Sequence, residues 1–261
     1  MEITRIRMLR GPNLWSRHTA LEAIVSCEES ERSIESIPQF ETKIRERFPQ
    51  LGSMRRGGQN EALSLANALE HAALGLQAQA GCPVTFSRTV QTIDVGVYQV
   101  VVEYTEEVVG RMAFDFAFAL IQATLNDAPF DLAAALSELE ALYEDVRLGP
   151  STGSIVDAAV QRNIPYRRMT EGSMVQFGWG SKQKRIQAAE TSDTSAIAEA
   201  IAQDKELTKN LLAAAGVSVP IGEVVTTADE AWRAAQKIGG PIVLKPKDLS
   251  LIHISEPTRP Y

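Results

Sequence analysis

Lys205 and Lys245 are the side chains of this sequence whose setting most invites chemistry. Lys205 follows Asp204 in D-K-E-L-T-K, where the aspartate reads as the N-cap of a helix that Gly216 closes. Lys245 ends the apolar run P-I-V-L-K-P, which reads as a buried strand. An ammonium at the end of such a strand is costly to place without an anion beside it. Alone, Lys245 reads as a side chain that snorkels to solvent. With Lys205 at a helix start and a capped helix between the two, the series points to phosphate.

Three other constellations have plainer readings. In N-A-L-E-H-A-A-L-G, Asn67, His71 and Gly75 share one helix face, with Glu70 beside the histidine. H-x-x-E-H on such a face would place two imidazoles on zinc beside a carboxylate. Here the first position is Asn and the last is Gly, and one imidazole cannot hold a catalytic zinc. His71 therefore reads as a packed, hydrogen-bonded residue. Gly178-Trp179-Gly180 could cradle a phosphate, but two glycines between strands read first as a hairpin turn. Cys27 and Cys82 have no metal-type spacing and read as buried, reduced thiols.

The elements that must position these residues change character near Leu148. Before it, strands are predicted over residues 3–9, 83–90 and 97–104, the last covered on both faces, with a turn at Asp94-Val95-Gly96. Helices are predicted over 60–80, 106–126 and 132–146; the first carries Leu63, Ala66, Leu69, Ala73 and Leu76 at helical spacing. After Leu148, helix and strand alternate. G-P-S-T-G-S-I-V-D-A-A-V gives a turn and a helix, I-P-Y-R-R-M-T a strand, and residues 173–189 two strands. S-A-I-A-E-A-I-A-Q and K-E-L-T-K-N-L-L-A-A-A are helical, and V-S-V-P-I-G-E-V-V is a strand. Thr227 and Glu230 form a capping box for a helix with Ala228, Ala231, Ala235 and Ile238 on one face, ended by Gly239-Gly240.

Composition narrows the class. The chain is 44% hydrophobic and 23% charged, as soluble globular proteins are, and its net charge of −7 argues against a nucleic-acid partner. The N-terminus carries charges where a signal peptide needs an apolar run. The most apolar stretch, M-A-F-D-F-A-F-A-L-I-Q-A-T-L, reads as too short to span a bilayer and contains Asp115. A cytoplasmic protein is expected.

The lysine series resembles the opening of an ATP-grasp ligase, in which two lysines reach the nucleotide phosphates from a small α/β subdomain. Longer segments are similar to the cyanophycin synthetase family: R-G-P-N-L-W-S, E-H-A-A-L-G-L-Q-A-Q-A-G and Y-Q-V-V-V-E-Y-T-E-E-V-V-G-R early, then residues 149–168, 171–209 and 216–225. This resemblance implies an α+β N-terminal polymer-binding domain (1–150), followed by the first α/β subdomain of an ATP-grasp fold (151–248), incomplete. It implies that Lys205 and Lys245 bind ATP, with Mg²⁺ in the full-length enzyme. No catalytic residue and no metal ligand is assigned within the chain. The activity implied is polymerisation: the C-terminal carboxylate of a poly-aspartate chain becomes an acyl phosphate, and an aspartate amine attacks it. A later Mur-ligase-like domain joins arginine to the aspartate side chain. Cyanophycin, aspartate and arginine are the implied partners, with a homo-oligomer at full length and no nucleic acid or membrane. Some family members carry H-x-x-E-H on an N-domain helix as a metal-hydrolase site; Asn67 and Gly75 depart from it, and that site reads as absent.

Residues 249–261, L-S-L-I-H-I-S-E-P-T-R-P-Y, contain no glycine where the family continues into a glycine-rich phosphate loop. They look like a translated sequencing adapter. The expectation is a truncated gene fragment with a foreign tail, inactive alone, and His253 and Arg259 are given no role. Two alternatives stay open: another ATP-grasp ligase of the glutathione or D-alanine kind, or a non-catalytic polymer-binding module.

Overall fold

The computed structural model describes residues 1–52, 54, 62–188 and 190–245, and divides the chain into two units, Met1–Glu190 and a second beginning at Thr191. The boundary expected at residue 150 falls inside the first unit. Asn60, Glu61 and residues 246–261, with the tail expected to be foreign, lie outside the described residues.

The first unit opens with strands β1 (Glu2–Leu9) and β2 (Ala20–Ser26), then helices α1 (Phe40–Arg47) and α2 (Leu65–Gln79). Strands β3 (Ser87–Gln91) and β4 (Val97–Glu103) and helices α3 (Glu107–Leu125) and α4 (Leu132–Val146) follow. The strands form one antiparallel sheet in the order β1-β2-β4-β3. In β4, Val100, Val101 and Val102 are all buried, so this central strand is covered on both faces. Helix α2 packs on β3 and β4, and α3 packs on α2, α1 and α4. The core lies between these helices and the sheet, around Phe40, Phe48, Leu69, Leu76, Phe114 and Leu120.

Several elements follow from local chemistry. Ser64 caps α2 and forms a capping box with Asn67. Asp131 Oδ1 accepts from Ala134 N at 2.9 Å and starts α4. The apolar stretch read as too short to cross a bilayer belongs to the 19-residue α3, which is long and apolar enough by composition. Burial accounts for that composition: Val109, Ala113, Phe114, Ala117, Leu120 and Ile121 are all fully covered. Strand β3 starts later than expected because the amides of Thr85 and Phe86 bond the Glu103 carboxylate. Strand β2 and helix α1 were not anticipated from the sequence.

The first unit continues with α5 (Pro150–Gln161), whose proline occupies the first turn, where it lacks no bond. Strands β5 (Tyr166–Arg168), β6 (Met174–Phe177), β7 (Lys184–Gln187) and β8 (Glu190–Thr191) form a second sheet in chain order. Gly178 and Gly180 have φ of +66° and +64° between β6 and β7, the turn that the sequence suggested. Val156, Val175 and Ile186 make a small second core.

The second unit holds α6 (Ala196–Gln203), α7 (Lys205–Ala214) and α8 (Ala228–Ile238), capped by Ser195, Asp204 and Thr227. Glu230 N donates to Thr227 Oγ1 at 3.2 Å, but the Glu230 carboxylate turns to Thr226, accepting from its amide at 2.8 Å. Only half of the expected box forms. The strands expected over 217–225 and 241–246 do not appear among the described residues: 217–225 and 241–245 have no pairing partner. A strand needs a neighbour to take its backbone groups; an apolar run alone does not make one.

Candidate functional site

The first unit encloses a cavity of about 510 Å³ where the end of β4, the ends of α4 and α5, and the segment entering β5 converge. Glu103 closes β4, and its Oε2 accepts from Thr85 N and Phe86 N, both at 2.8 Å. Its Oε1 stands 3.9 Å from His18 Nδ1. Tyr104 follows, held by Gly110: a Cβ on that glycine would lie 2.5 Å from Tyr104 Cβ. The hydroxyl of Thr105, also on the lining, is buried beside the Cys82 thiol.

Arg168 ties the second sheet to this wall. Its Nη1 donates to Glu106 Oε2 at 2.7 Å and to Val146 O, and its Nε donates to Gly172 O at 2.9 Å. Burial pushes the Glu106 carboxyl up, and Arg168 opposes the shift. Tyr166 is pushed up to about 12, first by burial and then by the charges of Glu106, Glu103 and Asp157. Burial likewise raises Tyr104 and Tyr143. At neutral pH all three phenols are neutral, able to donate hydrogen bonds, and stand in a negative field.

The comparisons with known proteins agree with one another. Residues 23–126, from within β2 to just past α3, match the family model of the cyanophycin synthase-like N-terminal domain. The chain is 37% identical over 266 residues to the cyanophycin synthetase of Trichormus variabilis, covering 95% of this chain and 29% of the relative. It is 38% identical over 264 residues to that of Geminocystis herdmanii, covering 95% and 30%. The chain is homologous to the N-terminal part of cyanophycin synthetases. It spans about 30% of the length of these curated relatives. The matched domain supplies one wall of the cavity, Glu103 to Glu106; α4, α5 and β5 supply the other.

Against the cyanophycin synthetase resemblance, the residues singled out in the sequence are placed as follows. Asn67 sits at the start of α2, its Oδ1 accepting from Ser64 N at 3.0 Å and Ser64 Oγ at 2.8 Å. Gly75 is a packing position: a Cβ there would lie 3.2 Å from the Phe48 ring. His71 is half-buried between them. Among the described residues, no three His, Cys, Asp or Glu side chains are grouped to hold a metal ion. Cys27 and Cys82 are buried, and burial pushes each thiol up to about 11.

Lys205 is the first residue of α7 and half-buried; Lys245 is exposed in the unpaired segment 241–245. Asp204 Oδ1 already accepts from Glu206 N and Leu207 N, both at 3.0 Å. The cavity was missed by sequence reasoning. Its one sequence signal is the placement of Tyr104, Tyr143 and Tyr166 at the junctions of elements, which no motif records.

Proposed function

We propose that this chain contributes the polymer-binding domain and the start of an ATP-grasp domain to an ATP-dependent carboxylate–amine ligase that makes cyanophycin. One observation carries the reading: the similarity to cyanophycin synthetases covers 95% of the chain, and so extends through both compact units. The α+β domain would hold the growing chain. Lys205 and Lys245 would contact the phosphates of ATP, which supplies the activated carboxylate. A carboxylate is a poor electrophile until one oxygen becomes phosphate, and the charge that develops needs cations. In this reading Mg²⁺ is held by residues outside those described. Aspartate and arginine are the monomers, and the whole enzyme is a cytoplasmic homo-oligomer.

The test is Lys245→Ala in the full-length enzyme. A charge pair at about 4 Å is worth roughly 4 kcal/mol at an effective dielectric near 20, and half of that exceeds tenfold in rate. Aspartate-dependent ATP turnover should fall more than tenfold while arginine addition is largely kept. Unchanged aspartate-dependent turnover would remove Lys245 from the nucleotide site.

A further inference from the structure

The first unit has two cores, and they do not merge. Helix α5 and strands β5–β7 pack around Val156, Val175 and Ile186, with Leu148, Val160, Tyr166 and Phe177 against them. None of these side chains belongs to the larger core around Leu69 and Phe114. Strand β5 packs on β6 and α5, and among the described residues no strand of the second sheet packs extensively on an element before α5. Where the two halves face each other they enclose the cavity of about 510 Å³ instead of interlocking side chains.

The chain crosses this seam in a few residues. Helix α4 is capped by Arg147 in an extended conformation, and α5 is entered through Gly149, where an added Cβ would meet nothing within 4 Å. Gly149 can therefore turn without disturbing a packed neighbour.

Arg168 closes the seam. Its Nη1 donates to Glu106 Oε2 at 2.7 Å and to the carbonyl of Val146, both in the α+β half. Its Nε and Nη2 donate to the carbonyls of Gly172 and Glu171, in its own half. One planar guanidinium is thus fastened to both sides at once. Trp179 adds an apolar contact, since a Cβ on Gly11 would lie 3.3 Å from its ring.

The ion pair is balanced finely enough to open. The side chains of Arg168 and Glu106 are 21% and 13% exposed, so both charges lose water when they meet. Burial raises the Glu106 carboxyl in spite of the opposing pull of Arg168. In such a pair desolvation offsets much of the attraction.

We propose that α5 and strands β5–β7 form a hinged flap over the cavity, turning at Arg147–Gly149 and latched shut by Arg168 on Glu106 and the end of α4. The motion lies within the first unit, and it stands whether or not the ligase reading does.

Pulsed electron resonance on the full chain reads the motion directly, with spin labels at Gln79→Cys on α2 and Arg185→Cys on β7. Both positions are exposed, while Cys27 and Cys82 are buried. The doubly labelled parent should give one narrow distance. Arg168→Ala should add a second distance, its population raised about tenfold or more over the parent's, as loss of a charge-assisted contact does. Glu106→Gln keeps the shape of the side chain and should add the same distance at a smaller share, which serves if Arg168→Ala fails to fold. A single unchanged distance in the folded variants would overturn the proposal. So would a broad smear without a second peak, because the sheet would then be melting and not swinging.

Discussion

In the first unit, V-V-V at residues 100–102 runs through the middle of a sheet with every valine buried. In the second, V-S-V-P-I-G-E-V-V at residues 217–225 forms no strand, and Val217, Ile221 and Val224 are 50%, 86% and 47% exposed. Both runs are rich in β-branched residues, and only one is a strand. Strand β4 has β2 and β3 on its two sides; the later run has neither neighbour among the described residues. Helices do not show this divide. Capped helices form in both units, because their hydrogen bonds close within one segment. What differs is burial: α3 is covered along a whole face, whereas among α6, α7 and α8 only Ala234 is buried.

The largest effect that can break this contrast is a core truncation. Phe114 is fully buried in α3, and Phe114→Ala should cost about 3–5 kcal/mol in urea denaturation. Leu211 on α7 is 47% exposed, and Leu211→Ala should cost less than about 1 kcal/mol. Equal losses would show that the second unit is packed as tightly as the first.

Gly110→Ala sharpens the same contrast. Replacing an exposed helical glycine by alanine gains up to about 1 kcal/mol. In α3 the new Cβ would lie 2.5 Å from Tyr104 Cβ, so a loss of about 1–3 kcal/mol is expected instead. A gain in stability would mean that the wall yields easily.

Helices were the most legible part of the fold. The ends of α3 and α4 lie within a residue of the sequence reading, since caps and helical spacing are local. Strand β2 was not legible: A-L-E-A-I-V-S has no alternation, and Glu22 is buried in it, bonded by Trp15 and Gln99. A buried carboxylate in a strand makes sense only once its partners are known. The cavity failed to show for the same reason. Glu103, Tyr143, Asp157 and Tyr166 are far apart in the chain, and nothing in their spacing brings them together. The lysines, by contrast, stood out through local context, one after a capping aspartate and one at the end of an apolar run.

The thiols give a smaller, pH-dependent effect in the first unit. Burial holds Cys27 and Cys82 at about 11 against an ordinary 9.0. The unfolded chain therefore loses these protons first, and the folded state binds more protons between pH 9 and 11. Stability should fall as pH rises through that window, by roughly 1–2 kcal/mol per thiol. Replacing both cysteines by alanine should flatten this part of the pH–stability curve. An unchanged slope would assign it to the tyrosines, which are also raised.

The smallest effect expected lies in the second unit. Asp204 accepts the amides of Glu206 and Leu207, and its removal takes that acceptor from the start of α7. Loss of such a cap costs about 1 kcal/mol, about a fivefold change in local opening. Because α7 buries no residue, this loss should stay where it is made: the amides of α7 should exchange about fivefold faster in Asp204→Ala, and those of β4 at an unchanged rate. The substitution also removes the negative charge next to Lys205, so a phosphate should meet a more positive helix start. Tighter ATP binding by Asp204→Ala in the full-length enzyme would fit a nucleotide role for this turn. If exchange in β4 accelerated together with α7, the two units would be one cooperative body, and the contrast between them would describe exposure alone.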